Sequence, residues 1–326
     1  MTSTSVRAAL SGIHARSEEL VAATRDHDRR RIDDAALDRV RSRDVKALLA
    51  LQKKLAIDPV TDGEFATQDI FRPFAESVPG LEVGSLTRYF DNNTFYKRPV
   101  VNGALAASKR PVVTTLAPRP KAVAWKAFLP SPYAFAKMCD DRHYGSSVEL
   151  IAAFGEVLAK EAARIHAAGP SWIQLTDPAV SVLPPDREEW MALRRAVSRI
   201  VEAADGSTTV YHTQFGNAGP ILRDLDDLPV DYVGVDLYET PLPELRAARL
   251  TRGLQAGIVD ARSSLLETPD EIAETARNLA REAGVRELVL APTCELEFLP
   301  RALADRKLSN LARAAAKVAR QKAVAA

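Results

Sequence analysis

Cysteine is scarce in this chain. Only Cys139 and Cys294 occur among 326 residues, and no CxxC pair exists. Two thiols make no disulfide framework in a chain of this size, which fits a reducing compartment. Without CxxC no zinc ribbon or finger can form, so any metal site must draw mixed ligands from distant parts of the fold. An excess of one charge is also missing. Lys and Arg number 44 against 43 Asp and Glu, a net charge of +1, which gives no global basic field to attract nucleic acid. No apolar run approaches the roughly 18 residues of a membrane span. The N-terminal stretch MTSTSVRAALSGIHARSEEL lacks a signal-peptide core, and a cytoplasmic location is expected. Neither GxGxxG nor GxxxxGK[ST] is present, so no nucleotide-binding fingerprint supports an open doubly wound sheet.

What is present is rhythm. Residues 33–56 place Leu37, Val40, Val45, Leu48, Leu49, Leu51 and Leu55 at helical spacing. A short strand then ends in Asp62-Gly63-Glu64. Residues 68–110 are irregular and too long for a plain loop, which predicts a functional excursion or a hairpin. From there strands are expected at 111–117, 172–178, 208–213, 231–237, 253–261 and 287–293. Helices are expected at 146–168, 186–204, 218–227, 241–250, 268–283 and 301–320. Thr268-Pro269-Asp270-Glu271 carries an N-cap, a proline at the first helical position and first-turn acids. With strand sites near Gly12 and Gly63, the count reaches about eight βα units. That count predicts a single (β/α)8 TIM barrel over 1–326, with the open sheet as the alternative.

In such a barrel the chemistry gathers where strands end. Asp62 and Glu64 follow one strand; they can hold a substrate ammonium or form a solvated turn. Thr176 and Asp177 end another, suited to substrate contact or helix capping. His212, Asp236 and Cys294 end three more. An imidazole, a carboxylate and a thiolate at parallel strand exits would make a metal site; taken singly, the cysteine is a small buried apolar residue. Gln214 would line that site, because an amide is a weak zinc ligand. Cys139 has no visible partner and reads as structural. Arg72, Arg88, Lys97, Arg98, Arg119 and Lys121, with Asn92 and Asn93, would hold an acidic substrate tail or simply be surface charge.

Several segments, in order, resemble the cobalamin-independent methionine synthase family: SGIHARSEELVAATRD, VTDGEF, RYFDNNTFYKRPVV, LPSPYAFAKM, WIQLTDPAV, HTQFGN, GIVDARSSLLETPDEIAE and PTCELEFLPRALADRKL. The resemblance implies a barrel enzyme that uses zinc to activate homocysteine or a similar thiol. The methyl donor would be of folate or corrinoid type. It implies His212, Asp236 and Cys294 as zinc ligands, with Gln214 where the family has a cysteine and Asp236, 24 residues after His212, where it has a glutamate. Glu64 would hold the acceptor's amino group, with Thr176 and Asp177 beside it; Asp62, Asn92, Asn93 and Arg72 would line the substrate. RYFDNNTFY and HTQFGN are closer to the N-terminal half of the family's two-barrel enzymes. That leaves a second expectation: an accessory barrel that binds a methyl carrier beside a partner protein supplying a corrinoid or an intact zinc site. A third is another thiol-group or C–S bond reaction on the same scaffold.

Overall fold

The structure is a computed structural model that describes residues 5–113, 123–169 and 171–325. In chain order its elements are β1 (Ser5–Ala8), α1 (Glu18–Asp28), α2 (Asp34–Leu55), α3 (Arg72–Ser77), β2 (Leu81–Arg88) and β3 (Phe95–Val101). Then come β4 (Trp125–Pro130), α4 (Pro132–Met138), β5 (Asp140–Asp141), α5 (Ser147–Ala167), β6 (Ser171–Asp177), α6 (Arg187–Ala203) and β7 (Thr208–Thr213). The chain ends with α7 (Leu222–Asp226), β8 (Tyr232–Asp236), α8 (Leu242–Ala248), β9 (Gly253–Val259), α9 (Pro269–Glu282), β10 (Glu287–Pro292) and α10 (Arg301–Ala325).

Seven parallel strands form one curled sheet in the order β1-β10-β9-β8-β7-β6-β4. Beyond β4, Val60 makes a parallel bridge to Trp125 and supplies the eighth strand position. The two free edges meet where the His14 amide donates to Gly63 O at 3.0 Å. The fold is thus the expected TIM barrel.

Three expectations shift. The first strand is Ser5–Ala8, and Gly12 lies in the loop beyond it. Of the strand expected at 111–117, residues 114–117 lie outside the described residues and 111–113 form no strand. Its place is taken by β4, WKAFLP, every residue of which is buried. The helix expected at 218–227 is a short 3-10 turn followed by α7.

Local signals explain the regular half. Asp186 with Glu189 caps α6 reciprocally, and Thr268 with Glu271 does so for α9. The irregular segment resolves into the antiparallel hairpin β2–β3, with β5 as a third strand. Its tip leans over the C-terminal end of the barrel, where the Tyr89 and Phe215 rings lie 5.7 Å apart.

Inside the barrel the strands stack two layers of side chains. The lower is apolar: Ala9, Trp172, Val210, Tyr232 and Val289. Above it sits a polar layer. Lys126 Nζ donates to Leu10 O at 2.8 Å and to Gln255 Oε1 at 2.6 Å. Gln255 Nε2 in turn donates to Gln174 Oε1 at 2.9 Å and to His212 Nδ1 at 3.0 Å. All four side chains are fully buried, and each finds a partner, as buried polar groups must. Among the described residues no helix is long and apolar enough to cross a membrane.

Candidate functional site

The barrel mouth is assembled from strand exits, and strand pleating decides which residues reach it. Successive side chains on a strand face opposite ways. On β6, Trp172, Gln174 and Thr176 point into the barrel, and Gln174 Nε2 donates to Thr176 Oγ1 at 3.0 Å. Ile173 and Leu175 pack in the outer core against the helices, and Asp177 shares their face. The Asp177 carboxylate accepts from the amides of Ala179 and Val180, both at 2.8 Å, from Ser131 Oγ at 2.5 Å and from the Tyr211 hydroxyl. Four donors fill its four lone-pair positions. Thr176 therefore belongs to the mouth, and Asp177 is a turn-forming residue behind it.

Glu64 reaches the mouth through an unusual backbone. Gly63 and Glu64 both take positive φ, +80° and +53°, a conformation that only glycine adopts at no cost. Asp62 Oδ1 accepts the Glu64 amide at 3.0 Å and fixes the corner. The half-buried Glu64 carboxyl is raised well above the usual range, first by burial and then by Asp62 alongside. Among the described residues it has no salt bridge.

Two further carboxylates stand here that strand-exit reasoning passed over, although both follow Cys294 in CELEF. Glu295 is 5% exposed, accepts from Gln214 Nε2 at 3.4 Å and backs onto Gly12, where an added Cβ would come within 2.7 Å of its Cγ. Burial pushes its carboxyl up to about 7. Glu297 is raised to about 7 for the same reason, opposed by the Arg16 guanidinium 2.9 Å away.

His212 and Cys294 lie deeper. His212 Nδ1 accepts from Gln255, and its Nε2 donates to Thr293 O at 3.2 Å. Burial, with Lys126 nearby, lowers it to about 3, so the ring is neutral. Gly234 makes room for it: a Cβ there would lie 2.1 Å from Nδ1. The buried Cys294 thiol is held well above its usual range by burial, then by Glu295 and Asp236. Asp236 accepts from the Tyr238 amide at 2.9 Å and from Arg262 Nη2 at 3.2 Å. Its carboxyl rises to about 6 because burial outweighs the arginine.

The remaining candidates divide. Asn92, at the hairpin tip, accepts from Arg262 Nη1 at 3.4 Å and so joins the mouth. Asn93 is exposed. Arg72 is held on its own helix by Glu76, at 2.7 Å, and by Gln68. Arg98 donates to Cys139 O at 2.8 Å, and Arg88 lies over the Phe95 ring. Arg119 and Lys121 lie outside the described residues. No anion-binding cluster is gathered among the described members of this set. A concavity of about 800 Å³ lined by Arg7, Arg252 and Arg286 opens at the opposite, N-terminal end of the barrel, away from the groups described above.

The family model for the cobalamin-independent synthase catalytic domain matches residues 12–317. The chain belongs to that family. It is 26% identical over 310 residues to the methionine synthase of Sulfurisphaera tokodaii, covering 92% of this chain and 88% of that one. It is 29% identical over 236 residues to the 5-methyltetrahydropteroyltriglutamate–homocysteine methyltransferase of Caulobacter vibrioides, covering 70% of this chain but 30% of that longer protein. Among solved structures, a B12-independent methionine synthase from Shewanella sp. W3-18-1, in complex with selenomethionine, superposes with a TM-score of 0.77 at 19% identity over the full length of both chains. A putative vitamin-B12 independent methionine synthase from Listeria monocytogenes gives 0.76 at 17% identity, covering 98% of this chain and 99% of that one. These last two establish the shared barrel. By family the chain is an enzyme of the methyltransferase class.

The zinc that the family resemblance implies does not fit the side chains found here. An imidazole binds metal through a free nitrogen lone pair, and both His212 nitrogens are already hydrogen-bonded to protein. Asp236 is paired with a guanidinium. Gln214 offers an amide where a second thiolate is needed. Among the described residues no three His, Cys, Asp or Glu side chains come together as a metal-binding group. His212 and Asp236 lie on the adjacent strands β7 and β8, while Cys294 follows β10 with β9 between, and the His212 and Asp236 donor atoms are used for other bonds.

Proposed function

We propose that this chain works as one barrel domain that moves a methyl group onto the sulfur of homocysteine or a similar amino thiol. The acceptor's ammonium group is held at the Asp62-Gly63-Glu64 corner, with Thr176 and Gln214 lining the mouth. The methyl donor is of folate or corrinoid type. The reaction balances as RSH + CH3–X → RS–CH3 + X⁻ + H⁺. The S–H and CH3–X bonds break and the S–C bond forms; with a folate donor the thiol proton ends on the leaving nitrogen, and with a corrinoid donor the metal keeps the bonding electron pair and the proton passes to solvent.

The observation that carries this reading is two carboxyl groups without a cation partner, both with proton affinity raised by burial. Arg16 answers Glu297 and Arg262 answers Asp236, but among the described residues Glu64 and Glu295 have no salt bridge. Buried carboxylates without a cation are costly, and a substrate ammonium supplies the missing charge. Its arrival beside Glu64 also lowers that group's raised proton affinity. Glu295, held by Gln214 against Gly12, is the carboxylate placed to take a thiol proton in passing.

The test is direct. Purified protein is incubated with L-homocysteine and, in separate arms, methyltetrahydrofolate or methylcobalamin, and methionine is read by mass spectrometry. Methionine is expected in one arm, with Glu64→Gln lowering apparent acceptor affinity by about 10–100-fold, the scale of one charge-assisted contact. No methionine in either arm, together with no acceptor binding by calorimetry, contradicts the reading. Acceptor binding without turnover favours the accessory barrel, which the fully bonded His212 also supports. Turnover would then need a partner protein carrying an intact zinc site or a corrinoid.

A further inference from the structure

Arg262 stands among three carboxylates at the barrel mouth. It follows β9 at the mouth, and its side chain is 23% exposed against 1% for Asp236. Nη2 donates to Asp236 Oδ2 at 3.2 Å and to Glu239 Oε1 at 3.1 Å. Nε lies 3.7 Å from Asp260 Oδ1. Nη1 donates to Asn92 Oδ1 at 3.4 Å, and the guanidinium carbon is 5.9 Å from the centre of the Phe215 ring. Three carboxylates from the ends of two adjacent strands and the loop between them therefore converge on a single cation. Three carboxylates around one centre are a ligand set that attracts a divalent ion. Here the centre is already filled by the protein itself.

We infer that Arg262 is a built-in replacement for the metal ion, so that the mouth of this barrel is a metal-independent site closed by an arginine. Several features agree. The thiolate pair that selects zinc is broken at Gln214. The imidazole that would ligate it is locked by Gln255 and Thr293. The acid that would ligate it is neutralised by a planar guanidinium, which donates to carboxylates and has no lone pair to offer a metal. The same arginine ties down the hairpin tip through Asn92, so one side chain both balances the mouth's charge and holds its cover. A metal ion arriving at Asp236 would have to displace the guanidinium and leave it facing solvent or another acid. The inference rests on reading the mouth as the acceptor site, but its test separates the two.

Metal content is measured by elemental analysis on full-length protein prepared without chelator and dialysed against zinc. Thermal unfolding is followed with and without zinc or EDTA. Wild type is expected to hold far less than one zinc per chain, with unfolding unmoved by either additive. Arg262→Met uncovers Asp236, Glu239 and Asp260. It is expected to gain divalent-ion binding, seen as a rise in unfolding temperature with added zinc or manganese that wild type lacks. Arg262→Lys, which keeps the charge, is expected to behave like wild type. About one zinc per wild-type chain, lost in Cys294→Ser or His212→Gln, overturns the inference. So does an Arg262→Met protein that folds and gains no ion response. Homocysteine binding is measured by calorimetry in metal-free buffer on the same wild-type sample. Absence of binding there counts against the proposed function and leaves the metal result standing.

Discussion

At its base the barrel is closed by Ala9, Trp172, Val210, Tyr232 and Val289, an apolar layer with Trp172 and Tyr232 rings 5.1 Å apart. At its mouth stand Asp62, Glu64, Asp236, Glu295 and Glu297, with Arg16 and Arg262. The base buries surface that water would not solvate well. The mouth buries charge that water would. Backbone strain follows the same division. Of the six non-glycine residues with positive φ among the described residues, Ala56 and Arg249 cap helix C-termini and Arg30 follows α1, while Glu64, Phe90 and Phe215 lie in the mouth and the hairpin above it. The positive-φ residues that do not end helices, and the buried carboxyls, gather at the mouth, which is where chemistry is expected.

That contrast can be broken by substitution. The largest effect belongs to the base: Trp172→Ala should cost about 3–5 kcal/mol in chemical denaturation, with acceptor affinity little changed. An equal loss of affinity would mean that the two ends are not separate. Next come the neighbours Thr176 and Asp177. Asp177→Ala strands two amides and two hydroxyls and should cost roughly 3 kcal/mol. Thr176→Val removes the one hydrogen bond accepted from Gln174 and should cost roughly 1 kcal/mol, yet weaken acceptor binding more. The reverse order would put Asp177 in the mouth.

The third effect is smaller and opposite in sign. Glu295 has its folded-state pKa raised, to about 7 from 4.5, so folding favours its protonated form. It costs the protein nothing below the unfolded value and progressively more as pH rises through the folded one. Glu295→Gln should therefore stabilise the protein by roughly 2 kcal/mol at pH 8 and by nearly nothing at pH 4. Urea midpoints at the two pH values check this. Buried His212 runs the other way: its lowered pKa makes the fold lose stability as pH falls below about 6.5.

The second half of the barrel was legible because it obeys simple rules. Strands β6 to β10 are short apolar runs, set off by the capped helices α5, α6 and α9, and their observed limits lie within about two residues of those expected. The first half broke the rules. β4 escaped notice because its Lys126 looks like surface charge, whereas the structure buries it in a network with Gln255 and Leu10. PVVTTLA carried more β-branched residues and drew the assignment away. Within the site, Asp177 is out of phase with Thr176: Trp172, Gln174 and Thr176 alternate with Ile173, Leu175 and Asp177, so only one set can face inward. The bonds on His212 come from residues 43 and 81 positions away, and nothing local announces them. Glu295 and Glu297 lie three and five residues past the end of β10 at Pro292, within reach of the strand-exit rule but beyond the apolar run that marks the strand.

One measurement tests the central claim most directly. Crystals soaked with L-homocysteine would be measured with X-rays just above the zinc absorption edge, so that any zinc appears as an anomalous peak. The expected result is an amino thiol with its ammonium on Glu64, Arg262 still bonded to Asp236, and no anomalous peak between His212 and Cys294. A peak within bonding distance of His212 Nε2 and Cys294 Sγ, with Arg262 turned away from Asp236, would contradict it.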